Sequence, residues 1–128
     1  MGCRIRYAVQ DGMLRAVVSG RALDRRGVQQ GAWIAQDIAA EAARQALSRV
    51  LIDLRGLADR LGSLGALSLS RVASGRVRGY RVAVVDGPDH DAYYAFHEMA
   101  ARARGYVLRC FGSSDEAARW LRSAPREG

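Results

Sequence analysis

Acidic and imidazole side chains crowd one short stretch of the chain, where Asp86, Asp89, His90 and Asp91 follow directly on the apolar run Arg81-Val-Ala-Val-Val85. The carboxyl end of a strand in an open α/β sheet is where ligands bind, and a carboxylate beside an imidazole is the material of general acid–base catalysis. His97 and Glu98 follow within the same predicted helix, so His90, His97, Asp91 and Glu98 have the donor types of a metal site. Their spacing matches no established ligand pattern, and Asp and His between a strand and a helix also serve as turn and cap residues. The cap reading is adopted. No catalytic residue or metal ligand is assigned, and no cofactor is expected.

A second candidate is Gly62-Ser63-Leu64-Gly65, which lies between a buried strand and a helix, where phosphate loops occur. It has neither a Gly-x-Gly-x-x-Gly pattern nor a Lys-Ser/Thr ending, and Ser63 reads as a helix N-cap. The chain also has no Gly-x-Ser-x-Gly elbow, which leaves a hydrolase triad without support. The expectation is a protein that is not an enzyme.

Several elements must position these residues. Residues 3–9 alternate Cys3, Ile5, Tyr7, Val9 against Arg4, Arg6, Ala8, the period of a half-buried strand; Asp11-Gly12 supplies a tight turn and residues 13–19 return as a second strand. Asp24 caps a helix over about 25–47, whose stripe runs Val28, Ala32, Ala35, Ile38, Ala39, Ala42, Ala46. Val50-Leu-Ile-Asp-Leu54 reads as a strand buried on both faces, which favours parallel pairing. A second helix follows over about 64–75, then a strand at 80–85, a third helix to about 104 with Ala92, Phe96, Met99 and Ala103 as its core stripe, a strand at 106–111 and a final helix to about 123 opened by Ser113-x-x-Glu116. The order is ββαβαβαβα: an α/β domain over 1–124 with a mixed five-stranded sheet flanked by four helices, and a frayed tail at 125–128.

With 128 residues, 49% of them hydrophobic, the chain can bury one core, and intrinsic disorder is excluded as its dominant state. No apolar run approaches the length of a membrane span. The net charge of +7 comes from 20 basic residues, all Arg, against 13 acids. Because both halves of the chain share that excess, no dedicated nucleic-acid surface is expected. Cys3 and Cys110 lack the close Cys or His spacing of a zinc site and read as buried reduced thiols in strands; with no secretory pattern at the start, a cytoplasmic location is expected.

The leading hairpin, then Val50-Leu-Ile-Asp-Leu-Arg-Gly-Leu57, Gly79-Tyr-Arg-Val-Ala-Val-Val85, Asp86-x-Pro-Asp-His-Asp91, the helix with Phe96, and Arg109-Cys-Phe-x-x-x-Asp-Glu-Ala117-x-x-Trp-Leu121 occur in an order and spacing that resembles the SpoIIAA-like family of small bacterial proteins. This family, also described as STAS/SEC14-domain proteins, is related to anti-sigma factor antagonists, and the resemblance spans nearly the whole chain. It implies a mixed sheet flanked by helices. In the regulatory antagonists a Leu-Asp-Leu strand leads to an Asp-Ser-Ser-Gly loop whose serine is phosphorylated to break binding to a kinase-type anti-sigma factor. Here Asp53 keeps its place in the strand, Leu61 stands for the acid and Gly62 for the first serine, and Ser63 is the hydroxyl left at the switch position.

The resemblance implies a STAS-like regulatory or protein-interaction domain, with Asp53, Gly62 and Ser63 as partner contact or phosphoswitch. The alternative drawn from the SEC14 association is a lipid-like ligand held between helices and sheet near Trp33, Leu61, Leu64, Tyr93, Tyr94 and Phe96. The expected partner is an unidentified protein or a second copy of the chain, paired through off-stripe aromatics or the edge of the hairpin.

Overall fold

Asp11 and Gly12 both take positive φ, 53° and 74°, the mirror-image turn whose twist suits a two-residue hairpin loop. In a computed structural model that describes residues 3–21, 33–57, 79–87, 98–99, 101–103 and 105–123, this turn joins β1 (Cys3–Gln10) to β2 (Met13–Gly20), paired antiparallel from Cys3↔Gly20 to Gln10↔Met13. Three more strands, β3 (Arg49–Leu57), β4 (Arg81–Val85) and β5 (Val107–Phe111), extend the sheet in parallel. Strand order follows chain order, β1-β2-β3-β4-β5.

That order decides how the helices distribute. Connections between neighbouring parallel strands are right-handed almost without exception, and crossovers of one hand that run in one direction along a sheet fall on the same face. Helix α1 (Trp33–Arg44) and the helical residues 98–99 and 101–103 (α2) belong to two such crossovers. Their buried residues Ile38, Ala42 and Ala101 share one core with Leu14, Ile52 and Val84. Helix α3 (Ser114–Ser123) follows the last strand, has no strand to return to, and lies on the opposite face. There Ala117 and Leu121 pack on Met13, Leu51, Ala83 and Val85. The mixed five-stranded sheet is as read, with three helices among the described residues; the helix expected over 64–75 and the start of the first, 25–32, lie outside them. No helix of the described part is long and apolar enough to cross a membrane.

Both crossover helices end in the same hydrogen-bond pattern. Ala46 N–H donates to the Ala43 carbonyl at 3.1 Å and Leu47 N–H to Ala42 at 2.9 Å; Gly105 and Tyr106 repeat this with Arg102 and Ala101, both at 3.2 Å. This motif needs a left-handed residue at its pivot. Gly105 supplies one cheaply at φ 91°, whereas Ala46 is held at φ 56°. The helix therefore stops at Arg44, and Ala46, expected on the buried stripe, is exposed. Since a left-handed Ala is strained by roughly 1 kcal/mol, partly offset by the greater unfolded-state freedom of glycine, Ala46→Gly is expected to gain about 0.5 kcal/mol. Thermal unfolding would show the gain as a Tm about 2 °C higher, and a lower Tm would contradict it.

Helix α2 also departs from its expected stripe. Met99 is 70% exposed and Ala103 is exposed, while Ala101 is completely buried. A small side chain at the contact lets the helix approach the sheet closely, and the long Met99 is left outward. The final helix starts as read, with Ser113 Oγ accepting from Asp115 N–H at 3.2 Å and Glu116 N–H at 3.4 Å.

Candidate functional site

Strand β3 runs buried from Val50 to Asp53 and then leaves the core, Arg55 and Gly56 being exposed before Leu57 turns back in. A bulge causes this. Val17 of β2 pairs with Asp53 but Ser19 pairs with Gly56, so β3 carries one residue more than its neighbour over the same distance. Gly56 permits the close approach, because a Cβ there would meet Ser19 Cβ and the Val18 carbonyl oxygen, each at 3.3 Å.

Residues two apart on a strand share a face, which sets Arg55 beside the buried Asp53. Three donors converge on the carboxylate: Arg55 N–H at 3.0 Å and Nε at 3.0 Å on Oδ1, and Nη2 at 2.7 Å on Oδ2. The Asp53 side chain is 8% exposed and that of Arg55 48%. The hydrogen bonds from the Arg55 side chain hold the Asp53 carboxyl below the usual carboxylate range, outweighing burial, with a smaller pull from Arg15. Asp53 in turn raises the Arg55 guanidinium. A carboxylate held ionised in this way cannot deliver a proton near neutral pH. What the pair offers instead is a fixed cationic fork at the rim of the sheet, with N–H groups beyond those given to Asp53 available to an acidic or phosphorylated group.

Asp86 follows the neighbouring strand β4 and is 3% exposed. It is tied into its own turn, its Oδ1 accepting Gly87 N–H at 2.8 Å and its N–H donating to the Phe111 carbonyl at 3.0 Å. The turn role read for this residue is therefore the one seen. Asp89, His90, Asp91 and His97 lie outside the described residues, among which no group of three or more His, Cys, Asp or Glu is placed to hold a metal ion.

Of the expected partner-contact residues, Asp53 stands at the rim, while Gly62 and Ser63 lie outside the described residues. The same holds for Leu61, Leu64, Tyr93, Tyr94 and Phe96 of the expected ligand cleft; Trp33 opens α1, but its side chain is not among those described. Cys110 is half-buried and packs against the core on the α1 face. Arg55 was missed, although Asp-x-Arg at strand period is a signal that could have found it. A second missed feature lies under α3, where the Arg81 guanidinium stands 4.5 Å from the Trp120 ring centroid and Arg109 lies 5.7 Å from Phe111 and 5.8 Å from Trp120.

No family model and no curated protein matches the chain. Solved structures do. One is an anti-sigma factor antagonist from Mycobacterium paratuberculosis, 19% identical, with TM-score 0.67 over 95% of this chain and 96% of that one. Another is a protein with a SpoIIAA-like fold from Shewanella loihica PV-4, 18% identical, with TM-score 0.52 over 94% of this chain and 93% of that one. At such identities the likeness is one of architecture, and the architecture of this chain is the SpoIIAA-like, STAS-like fold of an anti-sigma factor antagonist.

Proposed function

We propose that this chain is a non-catalytic, STAS-like interaction domain of a bacterial cytoplasm that binds a protein partner at the rim where β3 leaves the sheet. The observation that carries the reading is the Asp53–Arg55 pair: a buried carboxylate, held ionised, fixes a half-exposed guanidinium on a bulged strand. The fold likeness to an anti-sigma factor antagonist supports the same class of role. Ser63, which the sequence alone reads as a helix N-cap, belongs to this reading as the hydroxyl where a phosphate would add negative charge to the contact surface.

The test uses geometry at the two ends of the sheet. Arg21 follows β2 at the rim where Gly20 pairs with Leu57, whereas Arg102 lies by the Gly105 turn at the opposite edge; both are exposed. A photo-reactive p-benzoylphenylalanine placed at Arg21 is expected to give a discrete adduct with a protein of the source cells, competed by excess unlabelled wild type. The same probe at Arg102 should give none. Equal labelling at both positions, or no adduct at Arg21, would remove the basis for this surface.

A further inference from the structure

Helix α3 lies mainly over β3, β4 and β5 and reaches the hairpin at Met13 and, through Arg122, at Asp11. The rest of that face, built by the hairpin, is open: Arg4, Arg6, Ala8 and Gln10 of β1 are all exposed, and Arg15 and Ser19 of β2 are partly so. An exposed Ala8 is informative, since an alanine is covered by almost anything that packs on it. The register sets Arg15 opposite Ala8 and Arg6 opposite Val17, so three guanidinium groups share one face. Neither strand contains Asp or Glu. The acid of the turn, Asp11, is 3.3 Å from Arg122.

Strand β1 is also the edge of the sheet, eight residues long, with no strand beyond it among the described residues. Its outer main-chain groups form a template for a further strand. The other face of this edge is largely apolar: Ile5 and Tyr7 are half-buried against the core, the Tyr7 hydroxyl donating to Asp37 Oδ2, and Val9 is 53% exposed. A strand added beside β1 therefore meets Arg4, Arg6, Ala8 and Gln10 with every second side chain, with Arg15 of β2 opposite Ala8, and Ile5, Tyr7 and Val9 with those between.

We infer that β1 docks an extended protein segment of alternating acidic and apolar residues, which joins the sheet as a sixth strand with its acids over Arg4, Arg6 and Arg15. A second copy of this chain fits poorly, because it would set one arginine row against another. Single-stranded nucleic acid would satisfy the charge but has no use for the strand template or the apolar row. This surface shares its face of the sheet with Asp53, which pairs with Val17, but its docking edge is β1 and its test does not depend on the role given to the Asp53–Arg55 pair.

The probe is an acetylated, amidated Glu-Val octapeptide of strict alternation, titrated into the intact protein by fluorescence anisotropy. Binding is expected, weakening with added salt, and the exposed double variant Arg4→Glu/Arg6→Glu should weaken it at least tenfold while thermal unfolding stays unchanged. Methylating the backbone nitrogens of the glutamates, or of the valines, should abolish binding in one frame and spare it in the other, since only alternate N–H groups face β1. No binding, equal binding of a Lys-Val peptide, or indifference to methylation in both frames would overturn the inference. So would an oligonucleotide of equal charge that binds more tightly and is weakened by the same double variant.

Discussion

Leu121→Ala is expected to lower the unfolding free energy by about 3 kcal/mol. Leu121 is completely buried. Its neighbours Met13, Leu51, Ala83 and Val85 come from three different strands, and a rigid sheet cannot collapse into the space a missing isobutyl group leaves. The helix is also only ten residues long, too short to hold helical structure in water without its docked face. Loss of Leu121 thus weakens both the core and the helix that completes it. Urea unfolding would show a lower midpoint at unchanged slope, while Arg119→Ala on the exposed side of the same helix should stay within about 0.5 kcal/mol of wild type. A cost below about 1 kcal/mol for Leu121→Ala would mean that α3 adds little to the stability of the domain.

The reason α3 stands alone was only half legible in the sequence. Alternation in residues 3–9, the Asp11-Gly12 turn, the run at Val50 and the capping pattern at Ser113 each have a local cause, and each element forms where that cause places it. Which face a helix covers has no local cause. It follows from strand order, and strand order becomes useful only once right-handed crossovers are applied to it. Ala46 and Met99 show a related limit: both fit a helical stripe by spacing, but a left-handed pivot takes one out of the helix and a close alanine contact turns the other to solvent. Around the rim, the family resemblance points to Asp53 but not to Arg55, which lies past the expected end of the strand at Leu54; the bulge carries β3 on to Leu57. The open arginine face of the hairpin was hidden for a similar reason. Counted along the chain, the arginines of the two halves balance. Folded into β1 and β2, three of them fall on one side, and the acids that border them, Asp53 and Asp11, are held by Arg55 and Arg122.

Arg55→Ala is expected to cost more than Asp53→Asn, about 2–3 kcal/mol against about 1, although both remove the same ion pair. The asymmetry comes from where each partner is left. Without the carboxylate, Arg55 is already half-exposed and water takes over its donors; without the guanidinium, Asp53 keeps an ionised group at 8% exposure with the backbone N–H of residue 55 as its remaining close donor. The double variant Arg55→Ala/Asp53→Leu should therefore be more stable than Arg55→Ala alone. Acid gives a second readout. Asp53 in the wild type has a carboxyl below its unfolded value, so its contribution is fully present above about pH 4 and fades as pH falls through the lower folded value. The margin of wild type over Asp53→Asn should shrink below that point. In Arg55→Ala, burial no longer meets its main opponent and the carboxyl moves up, so protonation relieves the folded state and the deficit narrows as the solution is acidified. Equal costs for the two single variants, with no change in either margin with pH, would mark the pair as an ordinary surface ion pair. Arg55 would then have no fixed orientation to present, and the rim of β3 would lose its claim as the surface that a partner reads.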